Sequence, residues 1–200
     1  MKIVRQRPEQ TDVNMEASST SEGGPDDKFR TARSFMVAVY EIVVRRWGDP
    51  NTLPFLHTIL AFMYHVSRYP AAMVHLEKEF PRKLTALMLN YLHRSCQSEH
   101  GIDSADFPGA HKNDTPRPLP EDFALRGLIY TEGYYPISWF RNSKVEEDEK
   151  YFELASMTNQ RKERLLWLGR RLATSGQWLI WDNETRQFGV AEPYANDILG

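Results

Sequence analysis

Two hundred residues with a formal net charge of −2 make one domain's worth of chain. Apolar residues are 41% and charged residues 26%, so neither a global basic field for nucleic acid nor an acidic excess for disorder is present. One cysteine, Cys96, excludes an internal disulfide and an all-cysteine metal cage, and the longest near-apolar run, Phe35–Val44, is broken by Glu41 and falls far short of the roughly 20 residues of a bilayer span. No apolar signal-peptide core follows Lys2, Arg5 and Arg7, which implies a chain of the nucleus and/or cytoplasm, with no membrane contact.

Residues 1–27 are rich in Ser, Gly and acid and too poor in apolar side chains to offset ordering entropy, which predicts a disordered tail. Asp26 or Asp27 is placed to cap the helix that follows. Over Phe29–Ser98, nine Lys/Arg against four Asp/Glu leave +5. The first helix, about Phe29–Trp47, is apolar nearly all round its middle, which predicts burial on several sides. Gly48-Asp49-Pro50-Asn51 stops it.

A second helix at Leu53–Arg68, a helical turn at Ala71–Glu79 and a third long helix at Arg82–Cys96 follow, with Pro81 suited to a first helical position. Short connections between them favour antiparallel hairpins. Residues 97–118 form a loop of unusual length, which makes it functional, mobile or an insertion.

Pro120, Glu121 and Asp122 suit the first turn of a short helix that Gly127 ends. Residues 134–140 are an aromatic cluster, and the charge run Lys144–Lys150 reads as a solvated face. The last strong helix is expected at Asn159–Ser175, capped by Thr158 and stopped by Gly176, and Trp178–Val190 reads as a small hairpin or extended segment. The expected architecture is all-α: stacked antiparallel helical hairpins over residues 28–190, solenoid-like, with a C-terminal tail at 191–200.

Three constellations carry chemistry. His93 and Cys96 lie one helical turn apart, but two further zinc ligands at usable spacing are missing, and no metal or cofactor is expected. Cys96 with His100 is a nucleophile–base pair by spacing alone, whereas Ser elbows, Walker loops and dinucleotide glycine fingerprints are absent, so no catalytic residue is assigned. The segment Arg161–Arg171 carries five positive charges and one negative. A helical wheel puts Arg164, Trp167 and Arg171 on one side, where guanidinium groups flanking an indole suit phosphate contact and base stacking. The alternative is Arg stems covering a Trp that packs on the next helix, with the acids of 146–149 as partners. A second positive patch, Arg82-Lys83 with Arg45-Arg46, Arg30 and Arg33, has solvated helix ends as its plainer reading.

Arg117-Pro118-Leu119-Pro120-Glu121-Asp122-Phe123-Ala124-Leu125-Arg126-Gly127 resembles the Leu-Pro-Glu-Asp…Leu-Arg-Gly motif of the DNA/RNA-binding helical domain shared by telomerase-associated Est proteins and SMG-type nonsense-mediated mRNA decay factors. Tyr134-Tyr135-Pro136…Trp139-Phe140, residues 148–153 and residues 161–169 resemble its fungal branch. The resemblance spans about 117–181 and is fainter over 29–96. It implies a non-enzymatic domain of stacked hairpins that binds RNA or single-stranded telomeric DNA and recruits protein partners of the decay or telomerase machinery. The family's phosphoserine pocket lies in a tetratricopeptide-like half with no counterpart in these residues, so none of its residues carries over.

Within the motif the expected roles are structural: Glu121 and Asp122 cap beside Pro120, Leu125 packs, Arg126 pairs with acid and Gly127 ends the helix. Phosphate contact falls to Arg161, Lys162, Arg164, Arg170 and Arg171, with Trp167 as a stacking surface. The alternative function is a protein–protein scaffold in which apolar faces of the 29–96 helices dock a tetratricopeptide-like partner; an enzyme built on Cys96 stands third.

Overall fold

The computed structural model describes residues 25–96, 102–109, 118–141, 154–175 and 178–192. These form six α-helices and one small antiparallel hairpin: α1 (Asp27–Val44), α2 (Leu53–Val66), α3 (Pro70–Glu77), α4 (Arg82–Ser95), α5 (Pro120–Leu125), α6 (Ala155–Thr174), β1 (Leu179–Asp182) and β2 (Gln187–Val190). The chain is thus predominantly helical, with the expected hairpin near its C-terminal end. Short 3-10 turns at Pro50–Thr52 and Ile129–Thr131 join the helices.

Local chemistry sets the helix ends. The Asp26 carboxylate accepts the Phe29 N–H at 2.7 Å and starts α1. Asp49 accepts the Asn51 N–H at 3.0 Å and organises the turn into α2. Pro120 opens α5, whose exit runs through Gly127 at φ +85°, a conformation that favours glycine. Two caps differ from expectation. Pro81 sits just before α4, its carbonyl accepting the Thr85 N–H at 3.0 Å. Helix α6 begins at Ala155, so Thr158 lies inside it rather than capping it; the helix runs one turn further back than the apolar stripe alone indicates. Residues 1–24, the charge run 144–150, His100, Gly176 and residues 193–200 lie outside the described residues.

The core is built around α6. Leu165, Leu166, Leu168 and Leu172 are buried, and α6 packs most extensively on α2, then on β1 and α4. Leu56, Leu60 and Met63 supply the facing surface of α2. The hairpin closes one end of this layer, with Trp178, Leu179 and Phe188 buried against α4 and α6. Asn90 of α4 treats β2 as a strand neighbour: its Nδ2 donates to the Phe188 carbonyl at 2.9 Å and its Oδ1 accepts the Phe188 N–H at 2.8 Å. The most extensive helix–helix packing, α2 with α6, joins segments about a hundred residues apart, whereas the consecutive pairs α1–α2 and α2–α3 touch only slightly. Consecutive hairpins therefore do not carry the main packing.

Helix α1 also departs from expectation. Only Tyr40 and Val44 are buried, while Phe35 is 71% and Ile42 68% exposed. It lies at the periphery against α2 and α4, so one side of an all-round apolar helix remains bare.

Candidate functional site

The acids of the 120–127 motif lie inside the protein. Helix α5 presents Glu121 and Asp122 to α6, where Arg161 and Arg164 are 1% and 2% exposed. Arg161 grips Glu121 in a fork, Nε to Oε1 at 2.8 Å and Nη2 to Oε2 at 2.9 Å. His57, fully buried on α2, stands 3.3 Å from Glu121 Oε1 through Nδ1 and 2.7 Å from the Tyr134 hydroxyl through Nε2. A carboxylate only accepts, so Nδ1 donates to Glu121, and Nε2 shares a hydrogen bond with the Tyr134 hydroxyl. Burial alone raises the Glu121 carboxyl pKa, but hydrogen bonds from His57 and Arg161 outweigh it and hold it at about 2.

Asp122 is as fully engaged. Its Oδ2 accepts the Leu119 N–H at 2.9 Å and the Trp139 Nε1–H at 3.1 Å, and its Oδ1 accepts the Tyr135 hydroxyl at 3.1 Å and Arg164 Nη1–H at 3.4 Å. Burial raises the hydroxyl pKa values of Tyr134 and Tyr135. Arg164 lies 4.0 Å above the Phe107 ring and 5.2 Å from Trp139. The motif is therefore the weld between α5, α2 and α6. Leu125 is buried, and exposed Arg126 lies 5.0 Å over the Phe140 ring.

The wheel puts Arg164, Trp167 and Arg171 on one side of α6, and the structure does too. That side is covered by residues 102–109, part of the long loop. Ile102 is fully buried, the Ser104 carbonyl accepts from Trp167 Nε1 at 3.1 Å and from Arg171, and Phe107 packs edge-on against Trp167. Trp167 is 5% exposed, with Tyr64 against it, so it offers no open face for a base. Of the six residues expected to contact nucleic acid, Arg161, Arg164 and Trp167 face inward, and Lys162, Arg170 and Arg171 stay at or near the surface. The loop itself is invisible to a helical wheel, and Ile102 and Phe107 are its only apolar clue.

The exposed chemistry lies at the end of α6, where it meets α4 and the hairpin. Arg170 stacks 4.7 Å over Trp181 and pairs with Asp103 at 3.0 Å; Arg186 lies 5.6 Å from the same ring and 3.4 Å from the same carboxylate. His93 packs edge-on against Trp181. Arg94, Arg186, His93, Asn90, Thr185 and Gln187 enclose a recess of about 230 Å³. Arg186 holds a left-handed φ of +52°, usually left to Gly or Asn at this point of a hairpin turn. Asp182 closes the turn by accepting the N–H groups of Glu184 and Thr185, and these bonds lower its pKa.

No family model, curated protein or solved structure matches this chain. Among the described residues, no group of three or more His, Cys, Asp or Glu is placed to hold a metal ion. Cys96 is half-buried beyond the end of α4. No helix is long and apolar enough to cross a membrane among the described residues. The second positive patch is dispersed: Arg33 pairs with Glu79, Arg46 with Asp49, and Arg82 is buried.

Proposed function

We propose that this chain is a non-enzymatic helical module that binds single-stranded RNA or DNA, of the telomerase-associated and nonsense-mediated decay type that its 117–181 segment resembles. Three guanidinium groups, those of Arg94, Arg170 and Arg186, gather near the junction of α4, α6 and the hairpin: Arg94 and Arg186 line one recess, and Arg170 and Arg186 share the Asp103 carboxylate. That clustering is the observation that carries the reading. It supplies a local positive field that a net charge of −2 conceals, and its recess suits a phosphate group.

The site thus keeps Arg170 of the basic helix, adds Arg94 and Arg186, and leaves Arg161 and Arg164 to the fold, with Arg171 held on the Ser104 carbonyl. The test is fluorescence anisotropy with labelled single-stranded RNA and DNA. Micromolar or tighter binding that Arg94→Glu/Arg186→Glu abolishes supports the reading; no binding at low salt by folded protein refutes it.

A second reading, a protein scaffold docking a tetratricopeptide-like partner of the decay or telomerase machinery, is favoured by one observation. Phe35 and Ile42, two turns apart on α1, are both exposed. Binding to such a partner would be insensitive to salt and sensitive to Phe35→Ser/Ile42→Ser.

A further inference from the structure

A second cavity lies around α4 from the basic recess. The α1–α2 turn, α4 and the N-terminal half of α6 enclose a groove of about 180 Å³. A liquid water occupies about 30 Å³, so the groove has room for one flat ring. Its floor is apolar, from Leu53, Leu56, Met88 and Leu92. Its wall is an aromatic pair: Trp47 and Tyr91 lie with ring centroids 6.4 Å apart and planes 24° from parallel.

Both rings are open to solvent, Trp47 at 52% and Tyr91 at 39%. The turn that carries Trp47 passes close to Tyr91: Gly48 takes φ +81°, and a Cβ there would lie 2.9 Å from the Tyr91 hydroxyl oxygen. Arg46 and Lys162 line the groove, Arg46 paired with Asp49 at 2.6 Å and Lys162 without an ion pair among the described residues. Tyr91 and Arg94 are three residues apart on α4, so their side chains are neighbours one turn apart. Arg94 already belongs to the basic recess.

We infer that this groove is a base-stacking subsite, taking one nucleobase of a single-stranded nucleic acid on the Trp47–Tyr91 wall while the neighbouring phosphates lie towards Lys162 on one side and Arg94 on the other. The inference rests on the nucleic-acid reading above and names where a base is held. Two features favour a nucleotide over an apolar peptide side chain: two exposed, nearly parallel rings and a cation in the groove.

The experiment measures affinity for a ten-nucleotide RNA and for the same strand with abasic sites. Trp47→Ala and Tyr91→Ala are each expected to weaken intact RNA by about 5- to 150-fold, and to weaken the abasic strand much less. Trp47→Phe and Tyr91→Phe keep a ring and are expected to keep most of the affinity, which separates lost stacking from a misfolded variant. If wild type binds and the alanine variants stay within twofold, the subsite is overturned while the nucleic-acid reading stands. If wild type binds neither strand, both fall.

Discussion

Replacing Arg161 by Met tests whether the charge it carries on α6 belongs to the fold. The substitution leaves Glu121, 9% exposed, without its two fork bonds at 2.8 and 2.9 Å, while the longer His57 contact stays. Breaking one side of a buried pair costs about 3–5 kcal/mol because the other charge stays desolvated. For a domain of this size that is a fall in Tm of roughly 10 °C. Glu121→Leu alone removes the same fork from the other side and is expected to cost a similar amount. The double variant Glu121→Leu/Arg161→Met removes both charges and is expected within about 2 kcal/mol of wild type. Lys162→Ala, one residue away but at the surface, is expected to change stability by less than about 0.5 kcal/mol. Urea denaturation followed by far-UV circular dichroism reads all four. Single variants within about 0.5 kcal/mol of wild type, or a double variant that loses the sum of both, would refute the weld.

The same carboxylate gives a pH dependence. Its folded pKa of about 2 lies below the ordinary 4.5, so its contribution, roughly 3 kcal/mol, is fully present above pH 4.5 and is lost as pH falls towards 2. The stability gap between wild type and Glu121→Gln in urea melts should therefore close over that window; a gap that stays constant with pH contradicts it. Arg186→Gly relieves a left-handed residue and is expected to stabilise the hairpin by about 1 kcal/mol while weakening RNA binding; unchanged RNA binding by the folded variant contradicts the assignment. Asp103→Asn removes the acid shared by Arg170 and Arg186 and should tighten RNA binding at low salt, measured by anisotropy. Phe35→Ser/Ile42→Ser should leave thermal stability nearly unchanged, because both side chains are already exposed.

Helix positions, the capping acid Asp26 and the terminal hairpin are legible in the sequence because they follow from periodicity, capping chemistry and β-propensity within short windows. The weld is only half legible. Pro120, Glu121 and Asp122 mark a helix start, but their partners on α2 and α6 are about 40 to 64 positions away in the chain, where no local pattern reaches. Arg161 and Arg164 look like surface charge for the same reason: arginine is almost never fully buried unless paired, and the pairing is tertiary. Trp167 follows the same logic, since the 102–109 segment that covers it belongs to a loop with no period. Helix α1 fails in the opposite direction, apolar all round yet peripheral, because composition fixes what a face wants and not whether a neighbour arrives. Trp47 and Tyr91 lie 44 positions apart and become a pair only through the α1–α2 turn.

The salt dependence of RNA binding separates buried arginines that hold the fold from outer arginines that meet phosphate. Anisotropy titrations of a ten-nucleotide strand across a salt series give the slope of log affinity against log salt for wild type and for Arg94→Ala/Arg186→Ala. Each phosphate contact on a single strand contributes about −0.7 to that slope, so the double variant should be shallower by about 1.4 and weaker at low salt. An unchanged slope, or no binding by folded wild-type protein at low salt, would contradict it.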